Sequence, residues 1–219
     1  MVELKKRYII GLVLLLTACS SGAASNEIKT ITDNDTNVEI ELVEPLEDSL
    51  LLDWGLDNMD RGDHDYDTSA HSRLVVDPND KELKRGDVIY FKSPEFTIES
   101  NPEFDTQASS IARIVGLEGE MVEIKDGQVF IDGEKLDTFY AKALNRGMEQ
   151  EEYFEKVDPA NKGDEEFWKA YFTTTVAPVK VEENTVFVLG DNWWRSIDSK
   201  DYGGLPLSNV EGKVLGYEK

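Results

Sequence analysis

The side chains best suited to chemistry sit in two acidic stretches of the first half. Asp63-His64-Asp65 is followed by Ser69 and Ser72, which bracket His71. Serine, imidazole and carboxylate are the parts of an acyl-transfer triad, in which the ring takes the serine proton and the carboxylate orients the ring. Such a set is defined by geometry and not by closeness in sequence, so a solvated polar loop is the expected reading. Asp33 and Asp35, with Glu44 eleven residues after Asp33, partly match a calcium loop, as do the alternating Asp63, Asp65 and Asp67. In the first, Val38 stands where the sharp turn requires glycine; in the second, the twelfth position carries no acid. Both are expected to be polar turns. Two histidines and a single cysteine leave no zinc set, and neither a metal nor a cofactor is expected.

Those residues need a scaffold and a compartment. Lys5, Lys6 and Arg7 open the chain, residues 8–16 are uncharged and mostly apolar, and Leu16-Thr17-Ala18-Cys19 closes the run. A membrane span needs about 20 apolar residues, so residues 1–18 read as a secretory signal peptide. Leu-Thr-Ala-Cys resembles the lipobox of bacterial lipoproteins, which implies cleavage before Cys19 and lipid on its sulfur. Acyl chains of that kind hold a protein on a membrane without spanning it. The expected place is the outer face of the cytoplasmic membrane. Cys19 is the only cysteine, which rules out an internal disulfide. The formal net charge is −22. Phosphate backbones are bound by clustered Lys and Arg, so nucleic acid is excluded as a partner, and anionic headgroups repel the body of the protein.

Residues 19–36 read as the lipidated cysteine and a flexible tether, beginning with Ser20, Ser21 and Gly22. Residues 37–219 read as one antiparallel β domain. Residues 38–43 nearly alternate in polarity, residues 49–54 and 74–77 are short strand candidates, and residues 87–92 are a stronger one. Residues 121–125 and 128–131 flank Asp126-Gly127, a strong hairpin signal because a type I′ turn needs positive φ at both central positions. A second Asp-Gly follows at Asp132-Gly133. The pattern breaks at about residues 141–172, rich in Glu, where Phe154, Phe167, Trp168, Tyr171 and Phe172 are spaced for one or two short amphipathic helices. Aromatics at such spacing are more often core than contact surface. A strand returns at residues 185–189. The expected class is mainly β with a partly helical insertion.

Three ordered segments carry a further resemblance: Arg85-Gly86-Asp87-Val88-Ile89-Tyr90-Phe91, Arg113-Ile114-Val115-Gly116 running on to Asp126-Gly127, and Gly190-Asp191-Asn192-Trp193-Trp194-Arg195-Ser196-Ile197-Asp198-Ser199-Lys200, followed by residues 212–216. In this order and spacing the chain resembles the type I signal peptidases over about residues 54–216. The resemblance implies a serine peptidase that releases exported proteins, using a Ser–Lys dyad in which a buried, neutral lysine is the general base. The family serine precedes a methionine; here that pair reads Asn58-Met59. The family lysine precedes the Arg-x-x-Gly run; here Ala112 precedes Arg113. Both dyad positions therefore lack the expected chemistry. Ser196 aligns with the serine that supports the lysine, Asp198 stands behind it, and Lys200 replaces an arginine, which is expected to lose a bidentate grip on a carboxylate. Lys92 and Lys200 are the lysines that a substitute base would come from. The surviving Gly190-Asp191-Asn192 is expected to make a turn the fold needs.

The functional expectation is a signal-peptidase-like lipoprotein, catalytically inactive, that binds an extended peptide or an exported protein, with a working signal peptidase as a further candidate partner. The alternative is an active serine endopeptidase that processes signal peptides through a differently placed dyad.

Overall fold

A computed structural model describes residues 29–96 and 108–219; Cys19, the signal segment and the serine-rich start of the tether lie outside them. Among these residues, thirteen strands and three short α-helices run in the order β1 (Thr30–Thr32), β2 (Leu42–Val43), β3 (Leu50–Leu52), β4 (Leu74–Asp77), β5 (Val88–Lys92), β6 (Ser109–Gly116), β7 (Met121–Lys125), β8 (Gln128–Ile131), β9 (Glu134–Asp137), α1 (Gln150–Lys156), α2 (Glu165–Phe172), β10 (Val176–Lys180), β11 (Thr185–Leu189), α3 (Ser199–Tyr202), β12 (Leu205–Pro206) and β13 (Val210–Glu218). They form two sheets. The smaller has the order β1-β9-β8-β7-β10, and the larger β12-β11-β6-β5-β13-β4-β3, with β2 beside β13. Pairing is antiparallel except for β1 on β9 and β2 on β13.

The hairpin between β7 and β8 forms where Asp126-Gly127 places it, with φ of 48° and 71° at the two residues. Asp132-Gly133 (φ 52° and 80°) makes the next turn, into β9. Successive residues of β5 and β6 face opposite sides, as the two-residue strand period requires. Val88 and Ile111 join a cluster with Trp54, Met59, Leu74 and Tyr217. Ile89, Phe91, Ala112 and Ile114 join another with Val186, Val188 and Leu205. The larger sheet is thus covered on both faces, which explains why β6 is buried along nearly its whole length.

Two expectations need correction. The paired chain begins before the expected end of the tether at residue 36, because Thr30–Thr32 already pairs with Lys135–Asp137. Of the alternating run 38–43, only Leu42 and Val43 pair, against Tyr217 and Glu218; Val38 and Leu42 remain exposed, and Ile40 packs inward without a ladder. The insertion contributes to the core. Tyr153 of α1 and Tyr171 and Phe172 of α2 are buried in the same cluster as Ile124, Val129 and Leu136 of the small sheet. Helix α2 starts where Asp164 caps it, the carboxylate accepting from the backbone N–H groups of Glu166 and Phe167. The insertion aromatics are therefore chiefly core, as their spacing suggested, with Phe167 left half-exposed.

Candidate functional site

The end of β11 delivers Gly190-Asp191-Asn192 into a turn, and β6 delivers Ala112 and Arg113 beside it. Arg113 is the centre of the arrangement. Its Nε and Nη2 donate to Asp191 Oδ1 and Oδ2 at 2.8 and 2.6 Å, and its Nη1 donates to the Gly86 carbonyl at 2.7 Å. Both side chains are almost fully enclosed. Burial works against the Arg113 charge, but Asp191 and the Tyr66 hydroxyl outweigh it, so the guanidinium holds its proton more tightly than an ordinary arginine. Arg61 approaches the same carboxylate, with Nη1 3.5 Å from Asp191 Oδ2. The Phe139 ring lies under both guanidinium groups, at 5.0 and 5.1 Å. Asp191 thus clamps two strands and a loop together. Its backbone N–H is directed at Met59 Sδ, which places Met59 under the same turn.

Asn58 stands at the edge of this clamp with both ends of its carboxamide occupied. Nδ2 donates to the Ile111 carbonyl at 2.7 Å, and Oδ1 accepts from Trp54 Nε1 at 3.3 Å. Its backbone carbonyl accepts from the Asn192 N–H at 3.0 Å and from Ser196 Oγ at 3.1 Å. Gly190 is held to glycine by close approach: a Cβ there would stand 1.8 Å from Ser196 Oγ and 2.6 Å from the Asn58 carbonyl. Asn58, Ser196 and Gly190 are therefore brought together, beside the strand that carries Ala112. The Ala112 methyl itself is packed in the hydrocarbon cluster of Ile89 and Ile114.

Asp198 is buried behind Ser196. It accepts from the Gly190 N–H at 3.0 Å and caps α3 through the Lys200 N–H. Burial pushes its carboxyl above the ordinary aspartate range, against the pull of Lys200 and its hydrogen bonds. The expected loss of a bidentate grip is corrected by the geometry: Lys200 Nζ donates to both Asp198 oxygens at 2.7 Å, a single ammonium spanning both acceptors. Lys92, the other lysine weighed as a substitute base, is exposed and pairs with Glu211. The His71 ring stacks on Tyr217 and lies 3.3 Å from the Asp63 carbonyl, while Ser69 donates to Asp67. No hydrogen bond joins a serine to a histidine among the described residues. Asp33 accepts from Thr36 and Tyr140, and Asp65 from Arg61, so these carboxylates serve turns and ion pairs.

An open cleft of 380 Å³ runs past these groups, lined by Leu56, Asn58, Ser93, Ser110, Ser196 and Ile197. A family model described as signal peptidase, peptidase S26, matches residues 56–216, the span that contains the clamp, the cleft and all three sequence segments. The chain belongs to the peptidase S26 family. Among its relatives are thylakoidal processing peptidase 1 of Arabidopsis thaliana, 32% identical over 59% of this chain and 30% of that one, and signal peptidase I S of Bacillus subtilis, 30% identical over 57% and 52%. A crystal structure of a signal peptidase I from Enterococcus faecalis V583 is 27% identical, covering 61% of this chain and 97% of that one, with a TM-score of 0.39. The chain spans about half or less of the length of the two curated relatives named here.

Sequence reasoning missed the parts played by Trp54, Arg61, Tyr66 and Phe139. Arg61 carried one available signal, as a cation set among Asp60, Asp63 and Asp65. Tyr66 carried none: it is buried with φ of 62°, and its N–H donates to the Tyr217 hydroxyl. Among the described residues no helix is long and apolar enough to cross a membrane.

Proposed function

We propose that this chain is a non-catalytic, signal-peptidase-like lipoprotein that holds an extended peptide, or a segment of an exported protein, in the cleft beside Asn58. Lipid on Cys19 anchors it to the outer face of the cytoplasmic membrane. The observation that carries the reading is the state of the two dyad positions. A carboxamide is no nucleophile, and that of Asn58 is tied at both ends. A methyl group takes no proton, and that of Ala112 lies in hydrocarbon. Loss of one member of such a unit costs about 10⁴–10⁶ in rate, and loss of the second adds little.

The rest of the architecture supports retention of binding. Gly190, Asp191, Asn192, Ser196 and Asp198 all have structural partners, so their presence needs no catalysis. Main-chain pairing of an added strand, the mode the family resemblance implies for substrate, needs neither dyad residue. The test is titration of a signal-peptide-derived peptide into the natural chain and into Ser93→Trp, which puts an indole into the cleft. Saturable binding that the tryptophan abolishes is expected. Binding undiminished in the folded variant, or no binding to the natural chain, overturns the reading.

A further inference from the structure

Asp57, Trp194 and Arg195 line two cavities at once: the cleft beside Asn58, and a second space of 330 Å³ between the insertion and the 193–195 turn. The Arg195 Nε donates to both Asp57 oxygens at 2.9 and 2.8 Å, and the guanidinium lies 5.1 Å from the Trp194 ring centre. This ion pair and indole form the partition between the two spaces. The second cavity is walled by Tyr153 and Trp168 of the insertion and by Trp194, with the Trp168 and Trp194 centroids 5.4 Å apart.

Two buried amides line it as well. Asn192 is 2% exposed and Asn145 8%. Asn192 Nδ2 donates to the Asp57 carbonyl, which fixes Oδ1 as the open acceptor, and that oxygen has no donor among the described residues. The Asn145 backbone is paired with Met148; its side chain lines the cavity but is not among the fully buried unpaired groups, of which Asn192 Oδ1 is one. Buried polar groups are ordinarily satisfied, and each one that is not calls for an explanation.

We propose that this cavity is a recognition pocket for a peptide carboxamide, the side chain of a glutamine or asparagine on the chain held in the neighbouring cleft. The inference rests on the reading that the cleft holds a peptide. A carboxamide supplies an N–H for Asn192 Oδ1 and a carbonyl for the Asn145 amide donor, and its flat face lies against indole walls. Each other class of side chain is mismatched. A cation meets Arg146 and Arg195 in the lining; a carboxylate is drawn to those arginines but brings no N–H for Asn192 Oδ1; an aliphatic group leaves that oxygen unpaired.

The experiment uses the full chain and a short capped peptide of alternating Ala and Ser, with one Gln walked through it, beside matched sets that carry Leu or Glu. Two added hydrogen bonds predict one register at which Gln tightens binding about tenfold, with no such gain for Leu or Glu. Asn145→Ala and the isosteric Asn145→Asp, each checked for an unchanged thermal midpoint, lose that preference and keep the Ala-Ser baseline. A baseline peptide that binds with no Gln-specific register overturns the pocket and leaves the cleft reading standing. So does a preference that survives both variants, or one shared by Leu or Glu. Failure of every peptide to bind overturns both.

Discussion

Replacing Arg113 with methionine keeps the aliphatic stem and removes the charge. It leaves the Asp191 carboxylate, with a side chain 1% exposed, facing only Arg61 at 3.5 Å. Breaking a buried ion pair from one side typically costs about 3–5 kcal/mol, because the remaining charge is uncompensated. The nearby Arg61 guanidinium points to the lower end, about 3 kcal/mol. For a domain of this size each kcal/mol moves the melting midpoint by about 2–4 °C, so a fall of roughly 6–12 °C is expected. The partner experiment is Arg113→Met with Asp191→Leu. Replacing a whole buried pair by apolar groups is often nearly neutral, so the double variant is expected to recover at least half of the loss. Urea and thermal unfolding of the natural chain, both single variants and the double, followed by tryptophan fluorescence, complete the cycle. A loss below about 1 kcal/mol for Arg113→Met, or a double variant whose loss equals the sum of the singles, would refute the claim that the Asp191 turn is a structural clamp.

Two further outcomes follow from the same geometry. Gly190→Ala is expected to destabilise by about 2–4 kcal/mol, since its Cβ meets Ser196 Oγ and the Asn58 carbonyl; adding Ser196→Ala relieves only the first clash, so partial recovery in urea midpoint is the check. Tyr140→Phe removes the hydroxyl that donates to Asp33 at 2.6 Å. Burial raises Asp33, but hydrogen bonds from Thr36, Tyr140 and the backbone outweigh it and hold the carboxyl below its usual 3.8. A depressed carboxyl contributes stability above its unfolded value and loses it as pH falls through the folded one. The gap between natural and Tyr140→Phe chains in unfolding free energy is therefore expected to be largest at neutral pH and to narrow as the pH falls past the ordinary 3.8 and through the lowered folded value. A gap that is constant with pH contradicts this.

How much was legible depended on whether an element announces itself locally. The β7–β8 hairpin did, because positive φ at Asp126 and Gly127 demands particular residues. Strand β10 did not: it is an edge strand of Val-Ala-Pro-Val-Lys with a bulge, only partly buried, and a proline there argues locally against a ladder. Strand β9 is mostly polar with only Leu136 buried, and β1 exists through a parallel pairing across more than a hundred residues of chain. At the site, the motifs singled out Asn58 and Ser196, which meet, and Ala112, whose methyl instead packs with Ile89 and Ile114. The Phe139 ring under Arg61 and Arg113, and the Trp54 bond to Asn58, come from tertiary packing that no spacing encodes. Lys200 shows the limit from the other side, since residue type suggested a weaker contact than its ammonium makes with both Asp198 oxygens.

The central claim is that the scaffold persists without the chemistry, and cleavage tests it most directly. Purified natural chain from residue 20 onward, in detergent or lipid, is set beside the Asn58→Ser, Ala112→Lys double variant with a signal-peptide substrate. The natural chain is expected to be inert. Cleavage gained by the double variant would add that the cleft still accepts substrate. Cleavage by the natural chain, abolished by replacing a serine elsewhere in it, would contradict the account and make this a working peptidase.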